Sequence, residues 1–376
     1  MSQKNLVKFL ILPVVLLTLC CLIACGGKEK LYVLNWGEYI DPDLITEFEE
    51  ENNCKVVYST STSCEDMYVK VVTEQAPYDI VVPSDYMIEK MHDEGLLKAI
   101  DTSLLSNYNN DLFNDNLKKL MDSETCQSYA GYYIPYFWGS LGIMYRNTVP
   151  GLQEAIEKYG WAIFFDQSLL PSGTKVAMYE SERDVLTMAE CYLGIDLNCE
   201  DESEIRRAYA AFDGNKYVEW GADTLKSSIL SGNIDVTMCF AGDFIDNYYL
   251  YRETHETGDL PFSCYTPQDW NNVYFDAMVI PTTSQNTALA HKWIDFMISY
   301  DGAMANAQYV GYVPTVKAVY NDVINDPEMA EIASFSAYHP ETIMDYPNGH
   351  YAVYKSLKSS IYELISSLFS NLKSNQ

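Results

Sequence analysis

"LYVLNWGEYIDPDLITEFEEENN", residues 31–53, decides how the chain is read. Its apolar run, "LYVLN", has the length and content of a buried strand. The run stops at Trp36, Gly37, Glu38 and Tyr39. A helix signal follows at once. Asp41 suits an N-cap, Pro42 the first helical position, and Leu44, Ile45 and Phe48 mark one apolar face. The alternation then repeats. "CKVVYS" (54–59) predicts a second strand and "EDMYVKVVTE" (65–74) a helix. "YDIVVPS" (78–84) predicts a strand ending at Pro83, and "DYMIEKMHDEG" (85–95) a helix stopped by Gly95. Strand–helix repetition at this pitch predicts an α/β protein with an open sheet.

A stretch rich in Asn, Asp and Ser, 101–130, predicts loops. "YYIPYFWGSLGIMYR" (132–146) predicts extended structure. A second series follows: helix near 151–159, strand 175–179, helices 182–193 (ending at Gly194), 202–212 and 223–231, strand 234–239 and helix 243–252. Extended 272–281 leads to helices 286–299 and 301–309, and a last helix spans about 352–371. No low-complexity linker interrupts the chain. Two lobes would therefore be joined by strands crossing between them. A chain of 376 residues has room for two, since single cores rarely grow past about 250–300 residues.

The totals exclude some partners. The chain has 24 Lys+Arg against 53 Asp+Glu. Nucleic acid needs clustered basic residues, so it is not an expected partner. A cationic ligand suits the balance, although an acidic surface is also simply well solvated. At the N-terminus, Lys4 and Lys8 precede an apolar stretch from Phe9 to Ala24. It is shorter than the roughly 20 residues of a membrane span and has the shape of a signal peptide, residues 1–24. Nothing later is apolar for long enough to span. Beyond Cys20, Cys21 and Cys25, seven Cys remain: 54, 64, 126, 191, 199, 239 and 264. They form no C-x-x-C pair, and the five His show no ligand spacing. The Cys are expected to be mostly small buried hydrophobes. No metal or other cofactor is expected.

Five predicted strand ends pair an aromatic with a carboxylate: Trp36, Glu38 and Tyr39; Ser84, Asp85 and Tyr86; Tyr179, Glu180 and Asp184; Phe240 and Asp243; Tyr274 and Asp276. In open α/β sheets, ligands bind outside the carboxyl ends of strands. The pairing has a chemical use. A desolvated ammonium needs an acid, and its methylenes and charge both suit aromatic walls. Polyamines, with cationic ends and apolar middles, fit such a lining. Taken singly, each residue has a plainer explanation. Tyr is abundant, Asp184 could pair with Arg183, and Glu180 and Asp184 could be helix N-terminal acids. The recurrence at strand ends is what points to a site.

The segments "NWGEYI", "YDIVVPSDYMIEKM", "IPYFWGSLGIMYR", "ERDVLTMAECYLGI", "FDAMVIP" and "GYVPT" resemble the spermidine/putrescine-binding lipoproteins of bacterial ABC transporters. The resemblance covers nearly the whole chain after the leader. It implies a two-lobed, type II periplasmic-binding-protein fold with the polyamine clamped in the interlobe cleft. Lobe I would be 31–140 plus 276–320, and lobe II 141–275 plus 321–376. "LIAC" resembles a lipobox, which makes Cys25 the lipidated residue and the membrane a partner through a lipid anchor. Trp36, Glu38 and Tyr39 match the family's first contacting motif, Ser84 and Tyr86 the second. Asp184, Asp276, Tyr274 and Tyr312 fall on contacting positions. Phe240 stands where Trp is usual, and Asp243 resembles the putrescine-preferring branch. Two positions depart from the spermidine branch: Ser181 replaces an Asp, with Glu180 beside it as the candidate substitute, and Ala352 replaces a Gln.

The function implied is capture of putrescine, spermidine or both by interlobe closure. The protein would be a lipid-anchored or periplasmic monomer serving an ABC permease with its cytoplasmic ATPase. Other organic cations (agmatine, an opine, a betaine) are the nearest alternative ligands. A lipoprotein receptor without a permease is another alternative. Catalysis is not expected, since H-E-x-x-H, G-x-S-x-G and a Gly-rich phosphate loop are all missing.

Overall fold

The computed structural model describes residues 28–73 and 77–375. The predicted leader and Cys25 lie outside the described residues. In chain order the strands are β1 (Glu29–Trp36), β2 (Cys54–Ser61), β3 (Ile80–Val81), β4 (Leu97–Lys98), β5 (Tyr133–Arg146) and β6 (Ala177–Tyr179). β7 (Glu219–Gly221), β8 (Val236–Phe240), β9 (Phe262–Tyr265), β10 (Trp270–Pro281), β11 (Val313–Pro314) and β12 (His350–Ala352) follow.

β1 lies between β2 and β3 and is parallel to both, in register from Glu29↔Cys54 to Trp36↔Ser61. β10 joins β3 antiparallel at Val279↔Val81, β5 joins β10, and β11 closes that edge. β5 and β10 continue past this set. β8 and β9 flank the C-terminal half of β5, while β12 pairs with the start of β10. A separate pair, β6 and β7, is parallel.

Two hydrophobic cores result. The first gathers Leu31, Val33, Phe48, Ile80 and Trp293, and also takes in Ile229, Phe244 and Phe262. The second gathers Leu141, Met178, Leu186, Ile205 and Phe369. β5 serves both, with Trp138 in the first and Leu141 and Ile143 in the second.

Local chemistry explains the element ends. Asp41 accepts a hydrogen bond from the Asp43 amide (2.9 Å) with Pro42 behind it, as an N-cap should. The helix Glu182–Leu193 stops at Gly194, whose φ of 64° suits glycine. Three expectations need correction. The stretch 101–130 holds the helices Asp115–Met121 and Glu124–Gln127, because Asn114 and Ser123 act as caps rather than turn formers. The strand expected over 78–84 shrinks to β3 plus a bridge from Ser84 to Asp276. The last helix begins at Ser359, because His350–Ala352 pair with Trp270–Asn272.

All seven described cysteines are free thiols, and five are buried. Among the described residues, no helix is long and apolar enough to cross a membrane.

Asp79 ties the middle of the first sheet together. It is 1% exposed and accepts from the Tyr32 amide (3.0 Å), the Ser284 hydroxyl (2.8 Å) and the amides of Gln285 (3.0 Å) and Asn286 (2.8 Å). Asp79→Asn turns one acceptor into a donor facing the Tyr32 amide. Urea unfolding should show a loss of about 2–4 kcal/mol, the cost of stranded buried donors. A loss below about 0.5 kcal/mol would remove Asp79 from this role.

Candidate ligand site

The first end of the site is Asp276. β10 keeps register with β5 as far as Asp276↔Phe137, then shifts so that Ala277 faces Pro135. Tyr136 is the extra residue of this bulge, a device that bends a strand and re-aims its side chains. Tyr136 is itself pinned, its hydroxyl donating to the Tyr39 carbonyl (2.8 Å). Asp276 is 5% exposed. The Ser84 hydroxyl donates to its Oδ1 and the Tyr39 hydroxyl to its Oδ2, each at 2.6 Å. Burial pushes its pKa up to about 6, against the pull of those two bonds, and no cation contributes.

The second end is Asp243, in the first turn of the helix Ala241–Thr254 that follows β8. One carboxylate oxygen reaches back to the Phe240 amide (3.3 Å), and the other accepts from the Tyr312 hydroxyl (3.1 Å). Burial raises its pKa to about 6, while Lys226 and the Tyr312 bond hold it down.

Aromatic rings link the two acids. Tyr39 meets Tyr312 edge to face (centroids 4.8 Å apart) and Phe137 (5.2 Å). Phe240 sits 5.3 Å from Tyr274 and 5.5 Å from Tyr179. The Tyr274 hydroxyl is buried with no partner. Tyr39 belongs to the first core, Phe240 packs against the second, and Tyr179 touches both. The set therefore lies where the two cores meet.

Two glycines make the packing possible. A Cβ at Gly139 would lie 2.8 Å from the Tyr274 hydroxyl oxygen. One at Gly242 would lie 2.1–2.4 Å from three atoms of the Tyr312 ring.

A third group lies beside Asp276. Asp85 is fully buried; its Oδ1 accepts from the Tyr86 amide (2.7 Å) and its Oδ2 has no partner. Burial holds its pKa well above the usual carboxylate range. Asp184 accepts from the Tyr354 hydroxyl (2.8 Å), and burial raises its pKa too. The Tyr86 and Tyr354 rings are 6.1 Å apart, and the Tyr86 hydroxyl donates to Glu65 (3.1 Å). Arg183 does not pair with Asp184. It donates instead to the Leu197 carbonyl (2.7 Å) and Asn198 (2.9 Å). Ser181 caps its helix, accepting from the Asp184 amide (3.4 Å). Ala352 sits in β12, its carbonyl accepting from Asn272 (2.9 Å).

Some predicted residues stand apart. The Glu38 side chain is 84% exposed, on a backbone with φ of 50°. Glu180 pairs with Lys373. Trp36 is partly buried against the first core, and its indole N–H has no partner. Lys226, Tyr354, Gly139 and Gly242 went unforeseen. Gly242 carries a weak signal, since glycine inside a helix normally needs a reason. Lys226 and Tyr354 carry none, because only the fold brings them near.

Asp276 and Asp243 border one aromatic cluster, through Tyr39 and Tyr312, and two acids so placed can each hold one cationic group. Among the described residues, no cluster of His, Cys, Asp and Glu could hold a metal ion.

The chain matches the family model described as bacterial extracellular solute-binding protein over residues 43–331. It is 30% identical to the spermidine/putrescine-binding periplasmic protein of Escherichia coli K12, across 89% of this chain and 90% of that protein. It is 26% identical to the putrescine-binding periplasmic protein SpuD of Pseudomonas aeruginosa, across 80% and 78%. The spermidine/putrescine ABC transporter substrate-binding protein of Streptococcus pneumoniae superposes with a TM-score of 0.71 at 28% identity, covering 92% of this chain and 99% of that one. The Tp0655 lipoprotein of Treponema pallidum superposes with a TM-score of 0.71 at 25% identity, over 92% and 99%. The fold is that of the periplasmic binding proteins, and the chain belongs to the bacterial extracellular solute-binding protein family.

Proposed function

We propose that this chain is an extracytoplasmic polyamine-binding protein of an ABC transporter, taking putrescine, spermidine or both. One observation carries the proposal: Asp276 and Asp243, both buried, accept from Tyr39 and Tyr312, whose rings meet in one aromatic cluster. An isolated buried carboxylate is costly, and an ammonium with satisfied hydrogen bonds removes that cost. Tyr39, Tyr274, Tyr312 and Phe240 supply walls for the methylenes and a favourable ring face for the charge. Three of the four relatives named above bear polyamines in their names and support the same choice.

The mechanism is capture without chemistry. Residues 31–140 with 276–320 form one lobe, and 141–275 with 321–376 the other. A diamine that meets Asp276 on one side and Asp243 on the other favours the closed arrangement, since only that arrangement offers both acids. The loaded monomer then docks on a membrane permease driven by a cytoplasmic ATPase. Removal of residues 1–24 and lipidation of Cys25 hold the protein at the membrane, with Trp36, Ser84, Asp85, Tyr86 and Asp184 completing the surroundings of the ligand.

Calorimetry should show binding of putrescine or spermidine and none of betaine. Asp276→Asn should weaken that binding by more than about tenfold, or about 1.4 kcal/mol. Unchanged affinity would remove Asp276 from the site, and no heat with any polyamine would overturn the proposal.

The pKa shifts also set a pH dependence. Both acids bind their proton more tightly in the fold (pKa about 6) than in the unfolded chain, near the usual 3.8. The ligand-free protein therefore gains stability from them as pH falls through about 6 towards 4. Ammonium binding has the opposite sign, because it needs the ionised acids. One pH unit below 6, affinity should drop about tenfold for each acid the ligand contacts. A flat affinity profile between pH about 5 and 7 would exclude these two acids as the ligand's partners.

A further inference from the structure

Asp243 has a neighbour that Asp276 lacks. Lys226, on the helix Thr224–Ser231, sends its ammonium 2.7 Å from Asp246 Oδ2, one helical turn along from Asp243. The same ammonium is 3.9 Å from Glu38 Oε2, in the turn after β1. The lysine side chain is only 14% exposed. Burial works against its charge, yet Asp243, Asp246 and Asp223 together hold its pKa above the ordinary range. Lys226 in turn lowers the pKa of Asp243. A fixed ammonium thus stands on Asp246, one helical turn along from Asp243.

We propose that Lys226 is a specificity-determining residue, a built-in ammonium that competes with the ligand's second ammonium at the Asp243 end. The proposal rests on the polyamine function argued above. Asp276, with no cation beside it, becomes the anchor for the first ammonium. Asp243 becomes the tuned end, where the incoming charge meets acids that Lys226 has partly neutralised. A purely structural latch between Glu38 and Asp246 is the weaker explanation. Its Glu38 arm is long and solvent-exposed, and such pairs contribute little.

The test compares two amines with the same carbon chain. Putrescine carries two ammonium groups and butylamine one. Affinities are measured by calorimetry, with ligand-observed NMR for the weaker amine, on the wild-type protein, Lys226→Met, Lys226→Gln and Lys226→Arg. Removing the charge should tighten putrescine at least about tenfold in both neutral variants. Butylamine should stay within about twofold, and Lys226→Arg should resemble wild type. Putrescine bound no tighter, or both amines gaining equally, would overturn the proposal. A wild-type protein that binds neither amine nor spermidine would fail the polyamine function itself, and this proposal with it, whereas one that binds spermidine but not putrescine would overturn this proposal alone. A wild-type protein that binds putrescine, with neutral variants that leave the ratio unmoved, would sink this proposal alone.

Discussion

A carboxylate buried without a cation is the constraint on which the rest of the arrangement depends. Asp276 sits on β10 opposite the bulge in β5, where three segments converge. Tyr39, from the turn after β1, and Ser84, from the turn after β3, both spend their hydroxyls on it. Those two bonds satisfy the acid partly and leave its pKa raised. The ends of two parallel strands are thereby held against a third, antiparallel one. The polar interaction that positions the walls is also the one a ligand ammonium would complete.

Much of the fold was legible in the sequence because its causes are local. Asp41 and Pro42 announce a helix start by their own chemistry, and Gly194 announces a stop. The long apolar run of β5 announces a strand buried along almost its whole length. The departures have local causes of another kind. Asn114 and Ser123 suit caps as well as turns, and composition does not choose between them. The stretch His350–Ala352 is a strand only because Trp270–Asn272 lie beside it.

The site was legible in part. The recurrence of aromatic and acid after strands picked out Tyr39, Phe240, Asp243, Tyr274 and Asp276, which the fold does gather. The same pattern picked out Glu38 and Glu180, which share local sequence with that set but lie outward, toward Lys226 and Lys373. Residues recruited from far away, such as Tyr354 against Asp184, leave no mark near their partners. Nor does a lone lysine in a polar helix announce four surrounding acids. What a segment contains is visible locally; what surrounds it is a property of the closed fold.

The sharing of β5 between two cores carries a kinetic consequence. The hydroxyl of Tyr39 and the carboxylate of Asp276 are separated by 237 positions in the chain. Ser84 is separated from Asp276 by 192 positions. Neither core can be finished from one continuous piece, since the first draws on residues from Leu31 to Val353 and the second joins residues from Leu141 to Met238 with residues from Leu357 to Phe369. Folding that must close loops of such length is slow, because their entropy is lost before the contacts form. A partly synthesised chain ending before β10 carries Asp243 and Phe240 but lacks Tyr274, Asp276 and Tyr312, so neither end of the site is complete. The gathered residues meet only when nearly all of the chain has been made.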